Sequence, residues 1–208
     1  MYANYLKRTI DFILSCIALV LLCPLFLILY VLLYFSNNGK PFFYQKRPGK
    51  HEKIFSIIKF KSMTDAVDEK GKLLPNDLRI TKLGAFIRKT SLDEIPQLIN
   101  VIKGDMSLVG PRPLRTHYLP YYTTEEGLRH SVRPGITGLA QVSGRNLLTW
   151  DDRLKKDVEY VKNISFILDL KIMVKTITKV FSSGDVDFVE NMPDLDELRK
   201  QQKTTILT

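Results

Sequence analysis

No charged residue occurs between Phe12 and Gly39, and the stretch from Phe12 to Phe35 is almost wholly apolar. A helix needs roughly 20 such residues to cross a bilayer, so this segment restricts the chain to folds that place it in lipid or bury it whole. The run is too long for the core of a signal peptide, and Ser36-Asn-Asn-Gly39 offers no small-residue cleavage pattern. Lys7 and Arg8 precede it, while Lys40, Lys46, Arg47, Lys50 and Lys53 follow it. Both flanks therefore carry the basic signature of a cytoplasmic segment. Pro24 lies near the middle and leaves arms of about a dozen residues, each roughly 18 Å long, or about half a bilayer. A re-entrant helix broken at Pro24 keeps both flanks on one side, and this is the preferred reading. A spanning helix, which also tolerates proline, remains the alternative.

The 208 residues leave room for about one domain beyond this segment. Net charge is +9, of which residues 1–39 supply +1 (Lys7 and Arg8 against Asp11). A basic balance fits simple solubility, nucleic-acid binding, or attraction to anionic headgroups and phosphates, and composition does not choose among them. Both cysteines, Cys16 and Cys23, lie inside the apolar run, which excludes a disulfide framework and a thiolate metal site from the polar part. His51, His117 and His130 are too scattered for ligand spacing. Any metal would be hard and oxygen-bound, and Mg²⁺ suits carboxylate plus diphosphate.

Asp93 and Glu94 are neighbours in a stretch otherwise rich in cations: Arg79, Lys82, Arg88, Lys89, Lys103, Arg112 and Arg115, with Asp105 the one further acid. A carboxylate pair among cations can hold a divalent metal or attack phosphorus while the cations neutralise phosphate oxygens, so it points to phosphoryl transfer. Ser91-Leu-Asp-Glu94 also fits a plain helix-capping box. Pro96 would then be the fifth helical residue, where its ring and missing N–H cost; with Asp93 as N-cap it is the third, where proline is tolerated, and both carboxylates stand at a helix mouth. Adjacent helical residues diverge by about 100°, which suggests two different jobs for the pair.

Phe42–Arg47 and Ile54–Met63 read as a β-hairpin across Pro48-Gly-Lys-His-Glu52. Residues 64–77 read as a loop, and helical patterns follow at Thr81–Lys89, Asp93–Lys103 closed by Gly104, and Thr149–Lys162. The segments Gly104–Pro113 and Arg133–Gly138 are stiff Pro/Gly loops that hold an arginine against open backbone, and Arg112, Arg133 and Arg145 suit diphosphate oxygens. Ser165–Phe181 is apolar with lysines at 171, 175 and 179, either a buried helix with one wet edge or a helix lying in the headgroup plane. Residues 184–208 read as a variable, mobile or partner-dependent tail.

Seven blocks in order resemble the bacterial monotopic phosphoglycosyl transferases, particularly the short Campylobacter-type members that initiate N-linked glycosylation. The blocks are Leu6-Lys-Arg-Thr-Ile-Asp11, Arg47-Pro-Gly49, Phe55-Ser-Ile-Ile-Lys-Phe-Lys-Ser-Met63, Ser91-Leu-Asp-Glu-Ile-Pro-Gln97, Lys103-Gly-Asp-Met-Ser-Leu-Val-Gly-Pro-Arg-Pro113, Arg133-Pro-Gly-Ile-Thr-Gly-Leu-Ala-Gln141 and Leu168-Asp-Leu-Lys-Ile172. Cys23-Pro24 stands where the family has Ser-Pro, and nothing after Phe181 matches.

The resemblance implies an α+β, mostly helical protein: a re-entrant membrane helix (1–39), a small catalytic domain with a short β-hairpin and interfacial amphipathic helices (40–183) on the cytoplasmic face of the bacterial inner membrane, and the tail (184–208). It implies transfer of a sugar-1-phosphate from a UDP-sugar to undecaprenyl phosphate with release of UMP, and no nucleic-acid partner. It implies Asp93 as the nucleophile that forms a phosphosugar-aspartyl intermediate and Glu94 as the Mg²⁺ ligand. Lys59, Arg88 and Arg112 match phosphate-binding positions, and Arg133 and Arg145 are candidates for the nucleotide side. The competing expectation is a basic membrane-surface binding module in which Asp93-Glu94 is only a cap.

Overall fold

The computed structural model describes residues 2–144, 148–181 and 193–206. After a π-helical turn at Tyr2–Leu6, the apolar run forms two helices, α1 (Lys7–Leu21) and α2 (Cys23–Ser36), bent by 65°. No single described helix is long and apolar enough to cross a membrane, but this bent pair is by length and composition. The break falls at Leu22 (φ −86°, ψ −1°), and Pro24 occupies the first turn of α2. A proline there lacks the N–H that would bond residue 20 and its ring clashes with that carbonyl, so the ladder cannot run straight through.

Both outer ends of the pair are tied to the rest of the chain. Lys7 Nζ donates to Asp169 Oδ2 at 2.7 Å, and Arg8 donates to the carbonyls of Val101 and Ile102 at 2.5 and 2.8 Å. At the far end, Asn37 Nδ2 donates to the Lys61 carbonyl at 3.1 Å. The bend itself carries exposed Ile17, Val20, Leu21, Leu27 and Ile28.

The hairpin forms as expected: β1 (Phe42–Pro48) pairs antiparallel with β2 (Ile54–Phe60), with Phe42 opposite Phe60 and Pro48 opposite Ile54. The second strand stops earlier than its β-rich composition suggests: Lys61 N–H still donates to the Pro41 carbonyl, but proline has no N–H to extend the ladder, and Met63 bridges Ile80 instead. Two short helices, α3 (Asn76–Arg79) and α4 (Lys82–Lys89), follow, the latter capped by Thr81, whose side chain accepts from Gly84 N–H. Next comes α5 (Gln97–Lys103), closed by Gly104 at φ +92°, a left-handed conformation that favours glycine. Leu29 and Leu33 of α2 pack with Phe60, Ile87, Ile95 and Leu98 into one core cluster. Burial of side chains of this size stabilises by about 1.5–3 kcal/mol each, so the end of α2 is as much core as anchor.

The remaining elements are β3 (Ser107–Val109), α6 (Thr124–Gly127), β4 (Gly135–Thr137), α7 (Leu139–Ser143), α8 (Trp150–Lys162), α9 (Phe166–Phe181) and α10 (Leu195–Ile206). The two stiff loops meet as a parallel β3–β4 pair, with Ser107 opposite Gly135 and Val109 opposite Thr137. Glycine is required there for close approach: a Cβ on Gly135 would lie 2.1 Å from Gly110 N, and one on Gly138 would lie 2.2 Å from Gly110 O. Among the described residues the molecule is mostly helical, with these two small two-stranded sheets.

Helix α9 is not a buried core helix. Asp169 and Ile172 are buried, but Ile167, Leu170, Val174 and Ile177 are exposed alongside Lys171 and Lys175. The tail also departs from the expectation of a mobile terminus. Leu195 of α10 is fully buried with Leu114, Tyr118, Trp150 and Leu154, Trp150 Nε1 donates to the Pro193 carbonyl at 2.9 Å, and Arg199 pairs with Glu126 and Asp151.

Candidate active site

Asp93 and Glu94 reach the surface of a cleft of about 570 Å³ through an unusual turn. Helix α4 ends at Lys89, Ser91 adopts a left-handed conformation (φ +56°), and Leu92–Glu94 form a 3₁₀ turn. A non-glycine residue in that region stores strain and survives only where its surroundings hold it. Neither expected cap forms. The Ser91 side chain makes no capping bond, and α5 starts at Gln97 with Pro96 in the N-cap position. The reason is Pro96 itself: Glu94 and Ile95 N–H close i+3 bonds to Ser91 and Leu92, the chain then meets a residue with no N–H, and the ladder restarts beyond it. The carboxylates thus precede the helix and do not sit at its mouth.

Their surroundings differ. Asp93 is buried (8 % exposed), and its Oδ2 lies 3.6 Å from Lys59 Nζ. Glu94 Oε1 accepts from Lys59 Nζ at 2.6 Å and from Arg112 Nη2 at 3.0 Å. Burial would raise the Glu94 carboxyl, but Arg112 and Lys59 outweigh it and hold it down at about 2. Burial lifts Asp93 above the usual carboxylate range; Lys59 opposes this and Glu94 reinforces it. Glu94 is therefore a permanent anion already engaged by two cations, while Asp93 is a desolvated carboxylate without a short ion pair, a suitable condition for a nucleophile.

Lys59 arrives from β2, Arg88 from the last turn of α4, and Arg112 from the loop after β3, and all three line the cleft with the acid pair. Arg112 is half-exposed, but its backbone is fixed, because buried Arg129 donates from Nη2 to the Arg112 carbonyl at 2.6 Å. Arg129 also binds Asp157 Oδ2 from Nε and Nη2 at 3.1 and 2.8 Å. Burial raises the Asp157 carboxyl and Arg129 opposes that rise.

One of the two expected nucleotide-side arginines lies outside this constellation. Arg133 is not among the residues lining the cleft; its Nε donates to the Gly104 carbonyl at 2.8 Å, where it closes the end of α5 against the β3–β4 crossing. A carbonyl left open at a helix C-terminus is satisfied in this way by a nearby guanidinium. Arg145 lies outside the described residues.

Other lining residues were not singled out from sequence: Thr137, Gln141, Arg153, Asp157 and Thr176. Arg153 and Asp157 stand one turn apart on α8, so their i, i+4 spacing was the available signal. Arg153 also rests over the Trp150 ring, 4.7 Å from its centroid.

A hard divalent cation fits the donor set. Two carboxylates face one cleft beside cations of a kind suited to phosphate, and Mg²⁺ is commonly held by one or two carboxylates completed by substrate oxygens and water. The described cluster of three potential ligands, His117, Asp194 and Asp196, lies elsewhere, and Asp194 there is engaged by Arg115 and Tyr118.

The sequence model of the family described as bacterial sugar transferase matches residues 2–183. The chain is 52 % identical over 183 residues to the uncharacterized sugar transferase EpsL of Bacillus subtilis, covering 87 % of this chain and 90 % of that protein. It is 39 % identical over 191 residues to the exopolysaccharide production protein ExoY of Rhizobium meliloti, covering 84 % of each. It is 42 % identical over 192 residues to the undecaprenyl-phosphate galactose phosphotransferase of Salmonella typhimurium, covering 84 % of this chain and 40 % of that longer protein.

Proposed function

The chain belongs to the bacterial sugar transferase family, and from that premise we propose that it transfers a sugar-1-phosphate from a UDP-sugar to undecaprenyl phosphate, releasing UMP, through a covalent intermediate on Asp93. The observation that carries this reading is the division of labour in the acid pair. Glu94 is bound by Lys59 and Arg112, whereas Asp93, next to it, is buried and keeps only a 3.6 Å approach to Lys59.

In the first step an Asp93 carboxylate oxygen attacks the sugar-linked phosphorus. The phosphorus–oxygen bond to the nucleoside phosphate breaks, and UMP leaves with that electron pair. Lys59, Arg88 and Arg112 neutralise the phosphate oxygens as charge shifts toward the leaving group. In the second step an oxygen of undecaprenyl phosphate attacks the same phosphorus, the acyl–phosphate bond breaks, and the Asp93 carboxylate is regenerated. Glu94, with Asp93 beside it, would hold Mg²⁺, which supplies charge neutralisation at the diphosphate when bound.

The bent α1–α2 pair serves as a re-entrant anchor in the inner membrane, with the cleft on the cytoplasmic face. Support comes from the basic flanks and from the attachment of both outer ends to the same body. Exposed apolar residues of α9, beside Lys171 and Lys175, suit the headgroup plane.

The test is reaction with UDP-sugar in the absence of polyprenyl phosphate. The enzyme should release up to one UMP per site, gain a phosphosugar mass on the peptide containing Asp93, and exchange labelled UMP into UDP-sugar. Asp93→Asn should lose all three while still binding UMP. Chelation should stop turnover, Mg²⁺ should restore it, and Glu94→Gln should lose activity far more than stability. Turnover at the wild-type rate by Asp93→Asn overturns the assignment; full turnover with neither adduct nor exchange supports direct transfer.

A further inference from the structure

The cleft has two chemically opposite sides. One presents Lys59, Arg88 and Arg112, matched to phosphate. The wall formed by α7 and α8 instead carries two buried acceptor atoms with no hydrogen-bond partner among the described residues, Asp157 Oδ1 and Gln141 Oε1. Asp157 is 2 % exposed. Arg129 donates twice to its Oδ2 and supplies the counter-charge, so Oδ1 remains an unpaired acceptor on a residue that lines the cleft. The orientation of the Gln141 amide is fixed as well. Its Nε2 donates to the Ile136 carbonyl at 3.0 Å, which leaves Oε1 turned toward Gly138, where a Cβ would come within 2.6 Å of it. Arg153 on the same wall lies over Trp150.

Buried acceptors left unpaired cost about 1–3 kcal/mol each, and native proteins keep few without a reason. Phosphate cannot supply that reason, since its oxygens only accept at neutral pH and would be repelled by a carboxylate oxygen. The occupant must bring hydrogen-bond donors. On a nucleotide sugar, donors lie at either end of the diphosphate: sugar hydroxyls or an N-acyl N–H at one, the ribose hydroxyls and the imide N–H of the base at the other.

Building on the nucleotide-sugar reading above, we propose that Asp157 Oδ1 and Gln141 Oε1 form an acceptor pair that reads hydrogen-bond donors on the nucleotide sugar and thereby sets which donor substrate is accepted. A site built to receive a donor rejects the analogue that lacks it far more strongly than an apolar pocket rejects a change of shape, because the acceptors are left bare. Thr137 and Thr176, which also line the cleft, bond each other through their hydroxyls at 2.6 Å, which braces β4 against α9.

The test is calorimetric binding to the full chain in detergent. The probes are UMP, its 2′-deoxy and 3′-deoxy analogues and N3-methyl-UMP, and UDP-glucose, UDP-galactose and their 2-acetamido counterparts, each beside the analogues monodeoxygenated in the transferred sugar. Loss of the donor that is read should weaken wild-type binding on the order of tenfold or more. The same deletion should cost less than about threefold in Asp157→Asn or Gln141→Met, because the partner is already gone. Gln141→Met keeps the test decisive should Asp157→Asn, which leaves Arg129 uncompensated, fail to fold. A penalty confined to the deoxy transferred sugars assigns the pair to that sugar, one confined to the deoxyribose analogues assigns it to the ribose, and one confined to N3-methyl-UMP assigns it to the base. Single-donor deletions that all bind within about twofold of their parents in the wild type overturn the proposal, as do penalties that persist unchanged in both variants. Donor penalties without UMP release from any UDP-sugar strike the transfer reaction and leave the acceptor pair standing. Failure of every nucleotide to bind removes both.

Discussion

Arg129 links the two sides of the cleft through a single side chain, holding the Arg112 carbonyl on one side and Asp157 on the other. Removing one member of a buried ion pair strands the other, so Arg129→Met should cost about 3–5 kcal/mol, read as a lowered urea midpoint. The double variant Arg129→Met/Asp157→Leu should recover most of that loss, and a single-variant loss below about 1 kcal/mol would contradict the coupling. His130, the next residue, is buried with neither ring nitrogen bonded among the described residues, and burial, then Arg129, push its pKa down to about 4. Glu52, 3.8 Å away, is largely solvated and does not reverse this. A folded pKa below the unfolded value near 6.5 favours the neutral ring. Its contribution is therefore complete above about pH 6.5 and is lost as pH falls toward 4. His130→Gln should flatten part of the fall in melting temperature across that window; an unchanged slope would refute this. Asp93, Glu94, Lys59, Arg88 and Arg112 were legible from sequence because the chemistry of an acid pair among cations is local in the chain or carried by recognisable blocks. The bond of Arg133 to the Gly104 carbonyl was not legible, because that carbonyl is presented only once α5 has folded.

At the scale of elements, periodicity and caps sufficed for Lys82–Lys89, Trp150–Lys162 and Phe166–Phe181, and alternation with a turn sufficed for the hairpin. The β3–β4 pair was hidden because three-residue strands have no period to detect and their pairing is non-local; only Gly110, Gly135 and Gly138 hinted at backbones in contact. Helix α10 was missed for a different reason. Its stripe holds Leu195 and Leu198 among acids, lysines and glutamines, too thin to announce a packed face, yet Leu195 completes a cluster around Trp150. The helix also lies beyond the residues matched by the family. Leu195→Asp should detach it. Trp150 is the single tryptophan, so detachment should shift its emission to longer wavelength and open residues 193–208 to trypsin while the rest resists digestion. Unshifted emission would mean that α10 does not cover Trp150.

For the whole molecule, the sequence conveyed an apolar segment with basic residues on both sides, and the structure adds that both outer ends return to one body. Tags at residues 1 and 208 should accordingly both be accessible in inside-out vesicles and protected in intact cells. Pro24→Ala should move a fraction of molecules toward a spanning state with the N-terminal tag outside. Periplasmic labelling of that tag in the wild type would defeat the re-entrant placement. The Lys7–Asp169 bond also orders events in time. Its partners are 162 residues apart, and a ribosome adding about 5–20 residues per second needs on the order of 10–30 s to make the second after the first. For most of that interval the apolar pair has been made while the buried acid that will hold its basic end has not. The nascent chain must therefore keep Lys7 hydrated and the helices sheltered until synthesis of α9, so that, with the re-entrant placement proposed above, insertion is the earlier event and closure of the body the later one.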